Sequence, residues 1–193
     1  MNVRLFNNIH GLAGNAALDA IMRFSAQYLL IAVFAVLALL MLARLRTDGL
    51  RTAVLDGLWP AAGLVLSYAL GLLAAAVHPE ARPFTTHPQV HPLISHHPGQ
   101  AFPSDHSTAA FGIALVVFAF LSRRVGAVLL AAAALIAFSR VYVGVHYPGD
   151  VVASLLVALL GVGLVALLRS RTRKAGSVGS RPGPSAVGSR GLR

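Results

Sequence analysis

The chain has 193 residues, of which 56% are hydrophobic and only 11% are charged, and its mean hydropathy is +0.73. Soluble domains carry about 25% charged residues, so this composition excludes an ordinary soluble protein and indicates one membrane-embedded bundle. The absence of cysteine excludes disulfides, thiolate metal sites and thiol catalysis.

The charge is strongly positive, with sixteen Lys and Arg against six Asp and Glu. Such an excess is also typical of nucleic-acid binding. Here, however, seven of the basic residues fall within 169–193, a tail rich in Gly, Ser and Pro. We predict that this tail is disordered, lies in the cytoplasm and touches anionic lipid headgroups, and that the protein has no nucleic-acid partner.

Residues 1–22 form a partly amphipathic segment that is interrupted by Gly11, Gly14 and several polar side chains. A full membrane crossing by this segment is not expected. We predict that it lies at the membrane interface as one or two short helices.

Five apolar stretches follow, and each is predicted to cross the membrane as a helix, because about 20 mostly apolar residues span the hydrocarbon. They cover 24–43, 53–77, 107–121, 125–138 and 151–168. The third is short and needs residues from the motif before it, and none shows the alternating pattern of a strand. The predicted fold is therefore an all-α integral membrane bundle over 23–168, with about five transmembrane helices.

The arginines predict the orientation of the bundle, because cytoplasmic loops hold the excess of Lys and Arg. Residues 44–51, 123–124 and the tail together contain twelve of the sixteen basic residues. We therefore predict a multi-pass plasma-membrane protein with a cytoplasmic C-terminus. The opposite ends of the helices face outward.

Three polar motifs stand at those outward ends. They are Arg82-Pro83, then Pro103-Ser104-Asp105-His106, then Ser139-Arg140 followed by His146 and Asp150. Charged groups at membrane depth are costly and tend to mark function. Two arginines, two histidines, a serine and a carboxylate suit the binding of a phosphate and its transfer through histidine.

In the third motif, Pro148 is well placed to open the last helix, which puts Asp150 in its first turn and within reach of His146. A carboxylate on one ring nitrogen fixes the tautomer and leaves the other nitrogen free as a nucleophile. Arg140 can present a planar fork to phosphate oxygens. The alternative is a loop in which Asp150 only caps the helix and His146 faces water.

In the second motif, Ser104 or Asp105 is expected to cap the following helix, whose first amides point toward any nearby anion. His106 can then deliver a proton to a leaving oxygen. The alternative is simple capping with an incidental histidine. In the first motif, Arg82 is by itself a snorkelling anchor at the membrane surface, and it becomes a phosphate ligand only together with the other motifs.

The loop between the second and third apolar stretches contains further histidines, at positions 78, 87, 91, 96 and 97. Imidazole is a common zinc ligand. The spacing matches no compact metal motif. The loop is irregular by composition, since it contains Pro79, Pro88, Pro92 and Pro98 among its residues. We predict surface histidines in a hydrated loop and no metal or other cofactor.

Taken together, the order Arg-Pro, Pro-Ser-x-His and Ser-Arg-x5-His-x3-Asp resembles the type 2 phosphatidic acid phosphatase superfamily. The resemblance covers about residues 1–168 in architecture, and its motifs are confined to 82–150. Asp105 stands where many members have glycine. This variant, with Asn8-Ile9-His10-Gly11 near the N-terminus, is similar to the bacitracin-resistance type of undecaprenyl-diphosphate phosphatase.

The resemblance implies a two-step, metal-free hydrolysis of the terminal phosphate of a polyprenyl diphosphate at the outer leaflet. His146 would attack phosphorus and form a phosphohistidine, oriented by Asp150. His106 would protonate the departing lipid phosphate and then activate water. The residues implied in substrate binding are Arg82, Pro83, Ser104, the Asp105 amide, Ser139 and Arg140.

One position departs from the family pattern, in which a lysine usually stands seven residues before the arginine of the first motif. Here that position is Ala75. His78 or one of the loop histidines is left to supply the missing cation.

Three other functions compete with this prediction. A phosphatase for another lipid, such as phosphatidic acid or phosphatidylglycerol phosphate, would use the same residues. A proton-coupled transporter would need ionisable residues deep in the helices, which three of the spans almost lack. An intramembrane serine protease built on Ser104 would leave both arginines unexplained. The oligomeric state stays open.

Overall fold

The computed structural model describes residues 2–178, with side chains as far as Arg173, and these residues contain helices and no strands. In chain order the helices are α1 (Asn2–His10), α2 (Ala16–Gln27), α3 (Leu29–Asp48), α4 (Leu50–Val77), α5 (Pro83–Thr86), α6 (Asp105–Val116), α7 (Arg123–Tyr142) and α8 (Pro148–Val178). A π-helical turn, Val117–Leu121, continues α6 without a break.

Four of the described helices are long and apolar enough to cross a membrane, namely α3, α4, α7 and the Pro148–Arg173 part of α8. The fifth crossing is the shorter apolar helix Asp105–Leu121, formed by α6 and its π-helical turn. The prediction of an all-α membrane bundle with about five transmembrane helices is confirmed.

The first crossing begins at Leu29 rather than at the predicted Phe24. Residues 23–27 belong instead to α2, which Asn15 caps by accepting the backbone N–H groups of Ala17 and Leu18. Met22 and Ala26 of α2 are buried against the end of α7. This packing holds α2 beside the bundle, and α2 ends five residues beyond the predicted boundary at 22. The interfacial location of this segment stays a prediction.

The last helix continues past Leu168, where the last predicted span ends, as far as Val178. Residues 169–178 continue this helix, and no glycine or proline lies between Gly163 and Gly176. Disorder of the tail stays a prediction. The rest of the predicted disordered tail, 179–193, lies outside the described residues.

The two ends of the bundle differ in character. At one end, Arg169 of α8 lies 3.1 Å from the Asp56 carboxylate of α4 and packs over the Phe120 ring at 5.4 Å. At the other end, α4 runs out toward Arg82, α6 and α8 begin, and α7 finishes. All three polar motifs therefore belong to one end of the molecule.

Helix α6 forms the centre of the bundle and buries eight of its residues, whereas α3 buries only Val33. The outer helices expose large apolar side chains to the surroundings, among them Leu39, Val65 and Val128. Such a surface suits lipid rather than water. The polar end is thus held on a rigid central helix inside a membrane-facing shell.

Candidate active site

The three motifs converge at the end of the bundle where α6 and α8 begin and α7 ends. Nη1 of Arg82 lies 3.1 Å from Nε2 of His146 and 3.2 Å from the carbonyl oxygen of Val145. On the other side of the ring, Nδ1 of His146 lies 3.1 Å from Oδ2 of Asp150. Residues 68 positions apart in the chain, from Arg82 to Asp150, therefore share one site.

The local fold explains the pairing of His146 with Asp150. Helix α8 begins at Pro148, so Asp150 stands in its first turn, where its Oδ2 also accepts the backbone N–H of Tyr147 at 2.8 Å. Gly144 has a φ of +84°, a conformation that side chains disfavour, and it turns the chain between α7 and His146. The alternative in which His146 faces water is wrong, since His146 is 2% exposed.

The hydrogen bonds of His146 define its protonation state. A guanidinium can only donate, so Nε2 accepts from Arg82 and Nδ1 carries the proton that it donates to Asp150. Burial first, and then the charges of Arg140, Arg82, His96 and His106, hold the pKa of His146 well below its ordinary value. The imidazole is therefore neutral, with its lone pair on Nε2.

Two buried arginines stand at the site, and no carboxylate in the described part of the chain forms a direct ion pair with either. Arg82 and Arg140 are 8% and 2% exposed. The Nε atom of each guanidinium is buried and has no hydrogen-bond partner among the described residues. Burying unpaired charges is costly, and guanidinium groups match phosphate oxygens in geometry. This arrangement suits an anion.

The second motif lies at the start of α6. Of the two predicted capping residues, Ser104 is the cap, since its Oγ accepts the backbone N–H of Ser107 at 3.4 Å. The Ser104 backbone N–H donates to the Asp150 carbonyl at 3.3 Å, which ties α6 to α8. Pro103 is buried and the Asp105 side chain is exposed. His106 is half-buried, and its charge is one of those that lower the pKa of His146.

Two of the residues expected to bind substrate, Ser139 and Pro83, are buried within the fold. The Ser139 hydroxyl is fully buried and donates to the Ile136 carbonyl within α7 at 2.7 Å. Pro83 is buried at the first position of α5, directly after Arg82. A direct contact of either with substrate stays a prediction.

The loop after α5 contributes a residue that the sequence did not single out. Nε2 of His96 lies 2.8 Å from Nη2 of Arg140, and its ring centroid lies 6.5 Å from that of His146. His91 and His97 are exposed, as expected of a hydrated loop, but His96 is not. Sequence reasoning treated all of these histidines alike, because no local pattern distinguishes them.

A second unexpected neighbour is Glu80, which precedes the first motif. Burial raises the pKa of Glu80, and the nearby Asp150 carboxylate raises it further, against the opposing effect of His78. His78 lies 3.7 Å from Glu80 and is exposed. It is therefore paired with the Glu80 carboxylate.

The residues described contain no group of three or more His, Asp or Glu side chains arranged to hold a metal ion. Metal-free chemistry stays a prediction, and activity in the presence of a chelator tests it.

Two cavities lie near the start of α6. The first, of about 200 Å³, is lined in part by Asp105 and Ala75. The second, of about 170 Å³, is almost wholly apolar and lies between α3, α4 and α6. Tyr68 and Thr108 line both cavities, whereas the two arginines and His146 line neither.

Comparison with known proteins gives consistent matches. The sequence model of the PAP2 superfamily matches residues 56–174. Undecaprenyl-diphosphatase BcrC of Bacillus subtilis (strain 168) is 39% identical over 162 residues, which are 83% of this chain and 80% of that protein. The bacitracin transport permease protein BcrC of Bacillus licheniformis is 32% identical over 163 residues, covering 84% of this chain and 76% of that protein.

Solved structures share the fold. Aquifex aeolicus LpxE superposes with a TM-score of 0.65 at 25% identity, over 85% of this chain and 93% of its own. A PAP2-type phosphatidylglycerolphosphate phosphatase from Bacillus subtilis gives a TM-score of 0.51 at 18% identity, over 88% of this chain and 94% of its own. The latter similarity concerns the fold alone.

Proposed function

Because the chain belongs to the PAP2 superfamily and is a multi-pass membrane phosphatase, we propose that it removes the terminal phosphate of an undecaprenyl-type polyprenyl diphosphate. The reaction takes place at the outer leaflet and recycles the lipid carrier of cell-wall synthesis. The relative that is 39% identical over most of the chain and is named as an undecaprenyl-diphosphatase supports this substrate.

In the first step, Nε2 of His146 attacks the terminal phosphorus and the bond from that phosphorus to the bridging oxygen breaks. His106 enters this step protonated, because the negative charge of the bound diphosphate offsets the two guanidiniums. The bridging oxygen leaves with the lipid monophosphate and takes this proton from His106. Arg82 now donates to Nε2, so the incoming phosphate must draw that guanidinium onto its own oxygens. Asp150 keeps the proton on Nδ1 and stabilises the charge that the ring acquires.

In the second step, water hydrolyses the phosphohistidine. His106, which lost its proton in the first step, accepts one from the attacking water as the phosphorus–nitrogen bond breaks. Inorganic phosphate leaves, and His146 returns to its neutral form. One residue thus serves as acid and then as base, and no further proton carrier is needed.

The arginines stabilise the charge on the transferred phosphoryl group. Arg82 and Arg140 are anchored at the site by bonds to the carbonyls of Val145 and Ala26, and each guanidinium has further N–H groups for the phosphate oxygens. Preorganised donors act strongly in a site from which water is excluded, and losing one typically costs about 10²–10³-fold in rate.

The apolar cavity between α3, α4 and α6 supports a lipid substrate. It shares Tyr68 and Thr108 with the cavity that Asp105 lines at the start of α6. A polyprenyl chain in the apolar cavity would leave its diphosphate at the polar end of the bundle.

The observation that carries the proposal is the environment of His146, a buried neutral imidazole with a carboxylate on Nδ1 and a guanidinium at Nε2. Only a reaction that uses Nε2 as a nucleophile toward an anion needs both partners at once.

Phosphate release by the purified full-length protein tests the substrate. We expect undecaprenyl diphosphate in mixed micelles to be hydrolysed at least about tenfold faster, by kcat/KM, than phosphatidic acid or phosphatidylglycerol phosphate, which corresponds to about 1.4 kcal/mol. The His146→Ala protein is the background control. A preference for either glycerolipid would overturn the substrate assignment.

A further inference from the structure

We propose that His96 is a further substrate-binding residue, which contacts the phosphate group held by Arg140. This inference rests on the proposed function, because its ligand is the phosphate of that reaction. None of the three motifs includes His96, which lies in the loop between α5 and α6.

The position of His96 at the site is direct. Its Nε2 lies 2.8 Å from Nη2 of Arg140, and its ring stands nearly perpendicular to that of His146, with centroids 6.5 Å apart. The neighbouring His97 is exposed, whereas His96 is half-buried. One of the two adjacent histidines therefore enters the site and the other faces away from it.

The loop holds His96 firmly in this position. The backbone N–H of Leu93 donates to the Val143 carbonyl at 3.0 Å, and Ile94 is buried in a cluster with Tyr142 and Val145. Both contacts reach the segment that joins α7 to His146. The loop therefore places His96 relative to the proposed nucleophile.

His96 is neutral in this arrangement, because its Nε2 accepts from a guanidinium and its Nδ1 donates to the His97 carbonyl at 3.2 Å. Burial lowers the pKa of His96, and the charges of Arg82, Arg140 and His97 lower it further, while the His97 carbonyl opposes them. The other titratable groups that face it are His106 of α6 and His146.

A bound phosphate favours the protonated form of His96 instead of the neutral one. Its negative charge offsets the two guanidiniums, so the imidazole takes up a proton from solvent and donates Nε2–H to a phosphate oxygen. Arg140 then directs Nη2 to the same anion. His96 thus becomes the third cation around the phosphate, in a chain that carries Ala75 where the family pattern has lysine.

The consequence is a pH-dependent affinity. Protonated His96 binds phosphate and neutral His96 does not, so affinity falls as the pH rises through the pKa of His96 in the complex. Lysine at this position would keep its charge and remove this dependence.

Binding of inorganic phosphate to the full-length protein in detergent, measured by calorimetry at pH 6 and pH 8, tests the inference. We expect His96→Ala to weaken binding about tenfold or more at pH 6 and much less at pH 8. His97→Ala, the matched control, should bind like the unchanged protein at both. The ionisation of phosphate itself cancels in these comparisons. His96→Lys should retain the affinity and vary less with pH.

Equal binding by the His96→Ala and His97→Ala proteins would overturn the inference. So would a loss in His96→Ala that His96→Lys does not restore, because a merely structural role gives that result. Should His96→Ala not fold, the pH dependence of His96→Lys decides alone. The proposed function fails separately, if the unchanged protein binds phosphate in this way but does not cleave undecaprenyl diphosphate.

Discussion

At the scale of single residues, the two nitrogens of His146 have different tasks because they have different partners. Oδ2 of Asp150 accepts from both Nδ1 of His146 and the backbone N–H of Tyr147, so the carboxylate is itself held in place. Its Oδ1 is buried and has no hydrogen-bond partner among the described residues. The Glu80 carboxyl group is a near neighbour of this carboxylate; burial raises the pKa of Glu80, and the carboxylate raises it further.

Replacing Asp150 by Asn should remove the constraint on the tautomer. An amide can offer N–H to Nδ1, which moves the ring proton to Nε2 and blocks the lone pair that attacks phosphorus. We expect kcat to fall by about 10²–10⁴-fold with the fold retained, by analogy with triad carboxylates. Initial rates of phosphate release and thermal unfolding in detergent measure the two effects.

The matched control is Asp56→Asn, which removes a carboxylate at the opposite end of the bundle. Its rate should stay within about twofold of the unchanged protein, since surface ion pairs contribute little. An Asp150→Asn enzyme with nearly full activity would contradict the assigned role of the carboxylate.

The pairing of His146 with Asp150 was predictable because it is local. Four residues separate the two, and Pro148 between them fixes where the helix begins. The place of His96 was not predictable in this way. It depends on contacts of Leu93 and Ile94 with residues about 50 positions away, which no spacing in the sequence reveals.

At the scale of helices, the close crossing of α4 and α8 helps to position the site. A Cβ atom on Gly161 would stand 2.4 Å from Oγ of Ser67 and 2.5 Å from its backbone nitrogen. Ser67 is buried and donates to the Gly63 carbonyl at 2.8 Å. The two backbones can approach only because Gly161 has no side chain.

Gly161→Ala should therefore force the two helices apart. Overpacking of this kind costs about 1–3 kcal/mol, so thermal unfolding in detergent should begin at a lower temperature. Activity should fall as well, because α8 contains Asp150 and α4 leads to Arg82. Gly163→Ala is the control, since nothing lies within 4 Å of its added Cβ. Equal stability of the two variants would show that the crossing tolerates a methyl group.

Hydropathy located the crossings but not all of their ends. The sequence places the first crossing at 24–43, whereas the helix break falls at Tyr28, because the packing of Met22 and Ala26 against the end of α7 decides where α2 stops. Hydropathy averaged along the sequence carries no information about that tertiary packing. The start of α8 could be predicted more closely from the sequence, because proline favours the first position of a helix and Pro148 occupies it.

At the scale of the whole molecule, the bundle has one end with the three motifs and another rich in arginine. Arg44 and Arg46 near the end of α3, Arg123 at the start of α7 and Arg169 on α8 belong to the arginine-rich end. The positive-inside rule predicts that this end lies in the cytoplasm and that the motifs lie outside. A site at the outer surface would meet lipid diphosphate released there.

The absence of native cysteine makes this orientation easy to test. His97 lies near the site and Thr47 lies at the arginine-rich end, and both are exposed. Each is replaced by cysteine in a separate variant. A membrane-impermeant maleimide on intact cells should label His97→Cys alone, and both variants should react after permeabilisation. Labelling of Thr47→Cys alone in intact cells would show that the orientation is the opposite of the predicted one.

The account depends most on a covalent bond between phosphorus and His146. The test uses undecaprenyl diphosphate that carries a label in its terminal phosphate. When the enzyme is quenched rapidly and without acid during turnover, label should be bound to the protein. That label should be stable to alkali, labile to acid and located on His146 by peptide mapping. It should be absent from His146→Ala. Full turnover with no bound label on a millisecond scale, or equal activity of His146→Ala, would contradict the account.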